Sequence, residues 1–367
     1  MEHSFTEVIK QVLREEFDDK AENIYVSSPL FQYINIKTKS ANRGSKARSS
    51  FGNLYAIYVL IEDYLQKGFN KTGSYRDYEG AKFSDIFRRQ RELPFGQSLQ
   101  NHALNHRCNE EFKKYFPTCD YIPIVRVVET SRYWFNENLL IVQIDNETYN
   151  ISSSIIKIID EYIKTKQSNF ENFLEDCQKI KALPETEKGE AIEFIINLLA
   201  PNVDARLFEI VSYCILKYYY HDQRIFWGFD LENIQEENLT LYKTGRTNAN
   251  DGGIDFVMKP LGRFFQVTET VDVKKYFLDI DKIEHYPITF VIKSQDSIET
   301  ILHKIREKAI AQYPVTAIVN RYLNAIEEII NIPILINRFQ EAINQDYLGD
   351  ILEELIQQSK VEFNYTL

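Results

Sequence analysis

The chain has 367 residues, 44% hydrophobic and 13% aromatic, enough for a sizeable core and for two domains. Its formal net charge of -11 argues against a general nucleic-acid coat protein, though not against a single cleft that gathers basic residues. The N-terminus is charged throughout and no stretch reaches about 18 uninterrupted apolar residues, so neither signal peptide nor membrane span is expected and the chain reads as a soluble cytoplasmic protein.

The four cysteines, Cys108, Cys119, Cys177 and Cys214, show no CxxC spacing, which disfavours zinc and fits reduced thiols. Residues 5–17 carry Phe5, Val8, Ile9, Val12, Leu13 and Phe17 at helical spacing and predict an amphipathic helix. Residues 23–61 then contain no Asp or Glu, a notable gap in so acidic a chain. Within and around the gap's middle lie Lys37, Lys39, Asn42, Arg43, Lys46 and Arg48, interleaved with small Ser, Ala and Gly residues that let the backbone approach a surface. That composition predicts a loop lying on phosphates, with Asn42, Arg43 or Arg48 reaching base edges. A solvated basic loop is the alternative.

A helix is expected from Ser49 or Ser50 to near Gly68, then a polar loop with a short helix over 71–96, then a helix over 97–116. Two strands are expected within 119–145 and two helices over 150–164 and 168–183. The polar segment 184–190, PETEKGE, is the best linker, dividing a mainly helical region of residues 1–185 from a second domain of residues 186–367. Beyond it the pattern predicts helices over 191–199 and 201–220, the latter with Glu209 beside its apolar stripe. A strand over 239–243, a hairpin, a helix over 271–280 and a buried strand over 287–294 come next, and the tail reads as helical, interrupted at Pro333.

The hairpin gathers acidic, amide and basic side chains in a small stretch, residues 241–270. A type I turn over Lys259, Pro260, Leu261 and Gly262 sets Met258 opposite Arg263 and Asp255 opposite Gln266. Strict alternation then puts Asp255, Gln266 and Thr268 on one face, with Ile254, Phe256, Phe265 and Val267 on the opposite, core-facing side.

The order helix, three strands, helix, strand over residues 205–294 resembles the PD-(D/E)XK nucleases, the core of many type II restriction endonucleases and of Mrr-like enzymes. The motifs that carry the likeness are Asp251-Gly-Gly-Ile-Asp255 and Phe265-Gln266-Val267-Thr268. The resemblance implies a mixed α+β fold with an αβββαβ core, a large, mainly helical DNA-recognition region before it and C-terminal helices after it. It implies Mg²⁺ held by Asp255 and Gln266, with Asp251 in the glycine-rich approach and Glu209 as the acid of the preceding helix. Arg246 and Asn248, just before that motif, are expected to touch DNA. The position of the family's lysine is taken by Thr268, whose hydroxyl can bind water but supplies no charge. Lys243 is the first choice to replace it, ahead of Arg246, Lys259, Lys274 and Lys275. The implied activity is Mg²⁺-dependent, sequence-specific hydrolysis of double-stranded DNA in a restriction–modification system. A symmetric homodimer and a cognate DNA methyltransferase as genetic partner come with that implication. The alternative is a non-catalytic DNA-binding protein on a decayed nuclease fold.

Overall fold

Local sequence signals set most element boundaries in the computed structural model, which describes residues 2–39, 41, 47–72, 75–97, 99–244 and 254–363. The chain divides into two units, Met1–Phe173 and Leu174–Leu367. The division falls inside a long helix, ahead of the polar segment 184–190. The whole is a mixed helix-and-sheet protein in which, among the described residues, no helix is long and apolar enough to cross a membrane.

The first unit opens with α1 (Thr6–Phe17), α2 (Ala21–Ser27) and α3 (Pro29–Thr38). The amphipathic stripe of α1 buries Ile9, Val12 and Leu13. Helix α3 starts at Pro29, whose missing N–H is no loss in a first turn, and Ser28 Oγ accepts the Phe31 N–H at 3.3 Å. The central helix α4 (Ala47–Gln66) begins earlier than the serines predict, so Ser49 and Ser50 lie inside it. It stops short of Gly68, which sits at φ +76° where a side chain would be strained. Next come α5 (Phe69–Thr72), β1 (Ala81–Lys82), α6 (Phe83–Glu92) and α7 (Cys108–Tyr115), the last preceded by a π-helical turn at Ala103–Arg107. Strands β2 (Ile124–Val127) and β3 (Arg132–Phe135) join β1 in a sheet ordered β1-β3-β2. Strands β4 (Ile141–Ile144) and β5 (Glu147–Asn150) form a separate hairpin. Helix α8 (Ser152–Lys181) is continuous where the sequence suggests two helices; no Gly or Pro interrupts it, and the polar run at 165–169 exposes only Ser168 and Asn169 while Lys166 is buried.

The second unit contains α9 (Lys188–Asn197) and α10 (Ala205–Tyr220), then a hairpin of β6 (Arg224–Trp227) and β7 (Gln235–Asn238). Strands β8 (Thr240–Lys243), β9 (Phe256–Lys259) and β10 (Arg263–Thr268) come after it, then α11 (Val273–Lys282) and β11 (Ile288–Ile292). The chain ends with α12 (Ile298–Gln312), α13 (Thr316–Asn324), β12 (Ile326–Ile330), α14 (Ile332–Asn344) and α15 (Leu348–Phe363). Five strands form one sheet ordered β12-β11-β10-β9-β8. The β8, β9 and β10 pairs are antiparallel, and β10, β11 and β12 run parallel.

Each face of this sheet is covered, so its strand β11 is buried at every residue. On one side Val257, Phe264, Ile288, Phe290 and Ile292 pack with Tyr276 and Phe277 of α11 and Ile301 and Ile305 of α12. On the other, the Phe256 ring lies 5.3 Å from Tyr213, and Phe265 lies 6.2 Å from Tyr220, both tyrosines on α10. The β9–β10 register is the expected one, with Met258 opposite Arg263 and Phe256 opposite Phe265. The turn differs from type I: the Lys259–Pro260 peptide is cis, Gly262 has φ +68°, and its N–H donates to the Met258 carbonyl at 2.9 Å, closing a five-residue loop. The tail also differs. Residues 326–330 form a strand, and Pro333 lies in the first turn of α14 rather than interrupting a helix, with Asn331 capping it through the Ile334 N–H at 3.0 Å.

Candidate active site on the mixed sheet

Helix α10 supplies the first acid. Asp204 caps it by accepting the N–H groups of Arg206 and Leu207 at 2.7 and 2.9 Å, which fixes the helix start and the angular position of the side chains along its first turns. Arg206 and Glu209 are one turn apart and pair at 2.5 Å. Glu209 is 8% exposed, and its other oxygen lies 3.3 Å from Nζ of Lys243 at the end of β8. Arg206 also reaches Glu362 of α15, Nε to Oε1, at 3.2 Å. Glu209 is thus held between two cations contributed by α10 and β8.

Asp255 enters from the start of β9. Ile254 packs into the α11–α12 side of the sheet, whereas Phe256 faces α10. Residues two apart therefore lie on opposite faces, and strict alternation is broken at Asp255. Its N–H donates to the Phe265 carbonyl at 3.0 Å, and its carboxylate Oδ2 accepts the Val267 N–H at 2.7 Å. The carboxylate so occupies a place in the ladder that a backbone carbonyl would otherwise fill. Burial, reinforced by the negative charge of Glu209, pushes the Asp255 carboxyl up to about 7; the Val267 N–H, Arg206 and Lys275 pull the other way. Asp255, Glu209, Arg206 and Lys243 form one connected group of charges.

Gln266 and Thr268 do not join Asp255 as alternation predicts. Their Cα partners on β11 are Phe290 and Ile292, which places them on the α11 side. Thr268 donates its hydroxyl to the Thr270 carbonyl at 3.0 Å. Gln266 is 4% exposed, its amide nitrogen is 3.4 Å from the Val267 carbonyl, and its Oε1 is buried with no hydrogen-bond partner. An orphaned acceptor of this kind carries a desolvation cost unless something else binds it. Glu269 faces away from Thr268, as alternation requires, and pairs with Lys293 at 3.1 Å; the same lysine donates to the Val203 carbonyl just before α10.

Among the described residues no three His, Cys, Asp or Glu side chains form a metal cage. Two carboxylates, Asp255 raised by burial and then by the charge of Glu209, nevertheless fit a single hard divalent cation that keeps most of its waters, while the unpartnered amide oxygen of Gln266 lies apart from them on the α11 side. Asp251, Arg246 and Asn248 lie outside the described residues, as do Asn42, Arg43 and Lys46.

The expected DNA-binding stretch is only partly a loop. Lys37 belongs to α3, is 6% exposed and pairs with Glu111 at 2.7 Å. Glu111 also accepts from Asn53 Nδ2 at 2.5 Å, and Asn53 donates to the Tyr33 hydroxyl at 2.8 Å. Lys37 is therefore part of a buried network, because Glu111, distant in sequence, neutralises it. Lys39 is exposed just beyond α3, and Arg48 falls in the first turn of α4. Sequence reasoning misses Arg206, Lys293 and Glu362. The i,i+3 spacing from Glu209 marks Arg206 in the sequence, but nothing local marks the other two. In comparisons with known proteins the chain matches no family model, no curated protein and no solved structure.

Proposed function

We propose that this chain is a Mg²⁺-dependent, site-specific endodeoxyribonuclease of the PD-(D/E)XK type, acting on double-stranded DNA as a type II restriction endonuclease does. The observation that carries this reading is the grouping of Asp255, Glu209 and Lys243, each from a different element of the α10–β8–β9–β10–α11–β11 succession. The succession supports it too, once the inserted β6–β7 hairpin is set aside: three antiparallel strands, a helix, then a parallel strand. Mg²⁺, when bound, lowers the pKa of a coordinated water and offsets charge on the phosphoryl oxygens. Asp255 and Glu209 are the residues to hold it; Gln266 stands on the other face of the sheet from Glu209. Asp255 is held in place by the Val267 N–H, and Glu209 by Arg206. Lys243 supplies the positive charge that Thr268 lacks, since its Nζ already sits against Glu209.

A second reading, DNA binding without cleavage, draws on one observation: Lys243 and Arg206 are both committed to Glu209, and the Thr268 hydroxyl to a backbone carbonyl. Incubation with mixed plasmid and phage DNA and Mg²⁺ separates the two. Discrete fragments, lost in Asp255→Ala by a factor of about 10²–10³ or more with DNA binding retained, are the expected result. Intact DNA with a gel shift supports the binding-only reading, and cleavage by Asp255→Ala at the wild-type rate removes Asp255 from the site.

A further inference from the structure

The chain has six histidines, and among the described residues only His102 and His106 meet each other. His3, His285 and His303 lie against Asn35, Asp281 and Glu307, and His221 against Tyr218 and Tyr347. His102 and His106 are exposed, and among the described residues neither ring makes a hydrogen bond. Their rings stand 6.0 Å apart, inclined at 73°. The backbone between them is the π-helical turn Ala103–Arg107, in which the Cys108 N–H donates to the Ala103 carbonyl five residues back. In an ordinary helix the second of two residues four apart lies about 40° past the first. The wider π turn removes that offset and sets one imidazole almost directly above the other. Such a turn is rare, and here it is anchored. The Tyr133 hydroxyl donates to Asn105 Oδ1 at 2.9 Å, and the Asn109 amide exchanges two hydrogen bonds with the Ile124 backbone at 2.8 and 2.9 Å.

We propose that His102 and His106 form a binding site for one divalent transition-metal ion of the zinc type, with water in its remaining positions. Imidazole nitrogen suits such ions, whereas Mg²⁺ takes oxygen ligands. The site is therefore chemically distinct from the carboxylates of the second unit. An ion about 2.0–2.1 Å from each nitrogen holds two imidazole rings about 5 Å apart, centre to centre, at a tetrahedral angle. The observed 6.0 Å is closed by a side-chain movement of about 1 Å, within the reach of a rotamer adjustment. Because the backbone is already anchored, that movement costs side-chain freedom only. The nearest charges in the chain, Arg107 and Glu110, cancel, so coordination and not a local field holds the ion. No third His, Cys, Asp or Glu among the described residues closes the site, which leaves it open to water. It is a binding site rather than a hydrolytic one, since Ala103 stands where a zinc-protease helix has its glutamate base. An ion held by both rings spans the π turn and stabilises the fold that contains it.

Isothermal titration calorimetry of the full chain with Zn²⁺, in excess Mg²⁺ so that oxygen-ligand sites are taken, tests this apart from the nuclease reading, which makes no use of these residues. Wild type is expected to bind one Zn²⁺ per chain that Mg²⁺ does not displace. His102→Ala and His106→Ala, each at an exposed position and each with unchanged far-UV circular dichroism, are expected to weaken that binding by at least about tenfold, the loss that follows removal of even a supporting partner of a metal ligand. Amide hydrogen exchange locates the ion independently. Residues 103–108 of wild type are expected to exchange more slowly with Zn²⁺ than without it, and those of either variant at the same rate in both conditions. A wild type that binds no Zn²⁺, binding of equal strength in either variant, or exchange at 103–108 that Zn²⁺ leaves unaltered overturns the proposal.

Discussion

Asp255 sits where a carboxylate is costly and where a backbone N–H and two cations partly offset the cost. Its raised pKa has a definite thermodynamic sign. The folded state keeps the proton that the unfolded chain loses near pH 4, so between about pH 4 and 7 the folded form binds more protons. Stability therefore falls as pH rises through that window, by at most about 1.4 kcal/mol per pH unit from this group, and levels off above it. In Asp255→Asn, with EDTA present, that contribution disappears, so the variant gains on wild type as pH goes from 5 to 7. Glu209→Gln removes the like charge that raises Asp255 and leaves Arg206 and Lys243 in place. The window should then close at lower pH. Urea midpoints measured from pH 5 to 8 check both, and parallel curves for wild type and Asp255→Asn would show that Asp255 is ordinary. The pairing of Asp255 with the Gln266 neighbourhood was legible, because the observed loop, though not type I, still sets Met258 opposite Arg263. The direction of the Asp255 side chain was not, because it depends on a break in alternation that has no local signature.

At the level of elements, legibility tracked how much of each signal is local. Helices with capping residues and apolar stripes, such as α10 with Asp204 and α11 with Asp272, stand close to where the sequence puts them. Strand β12 was hidden because its two glutamates, Glu327 and Glu328, look like the polar face of a helix. They are tolerated in a parallel strand because Arg263 of β10 pairs with both, at 3.0 and 2.6 Å, and Arg338 of α14 also bonds Glu328. That dependence is non-local and testable. Arg263→Ala takes one cation from the half-buried Glu328, which keeps Arg338, and from the exposed Glu327, and it leaves the buried Thr289 hydroxyl without the guanidinium it accepts from at 2.9 Å. A loss of about 1–3 kcal/mol is expected, chiefly from the buried hydroxyl left unpaired, read from denaturant unfolding. Arg338→Ala should cost a similar amount, and the double variant less than the sum, since the two share Glu328. Strict additivity would mean that the arginines act on separate parts of the sheet.

For the whole molecule, the proposed function requires a chain of net charge -11 to meet a polyanion. The acid-free stretch of residues 23–61 remains the strongest answer in the sequence, but its effective charge is smaller than a count of Lys and Arg suggests. Lys37 is spent on Glu111 inside the first unit. Composition alone could not reveal this, because Glu111 lies outside the stretch. Arg43 and Arg48 are the arginines of that stretch, and two phosphate contacts from them would release two sets of counterions. Their joint replacement by Ala should lower the slope of log binding constant against log salt by about 1.8 and weaken DNA binding most at low salt. Lys37→Ala should leave that slope where it is and instead reduce stability, because Glu111 is left half-buried without its cation. Fluorescence anisotropy with a duplex between about 50 and 200 mM salt, alongside unfolding curves, separates the two effects. A slope unchanged by the arginine replacements would take the basic stretch off the phosphates, and a slope altered by Lys37→Ala would mean that the buried network opens when DNA binds.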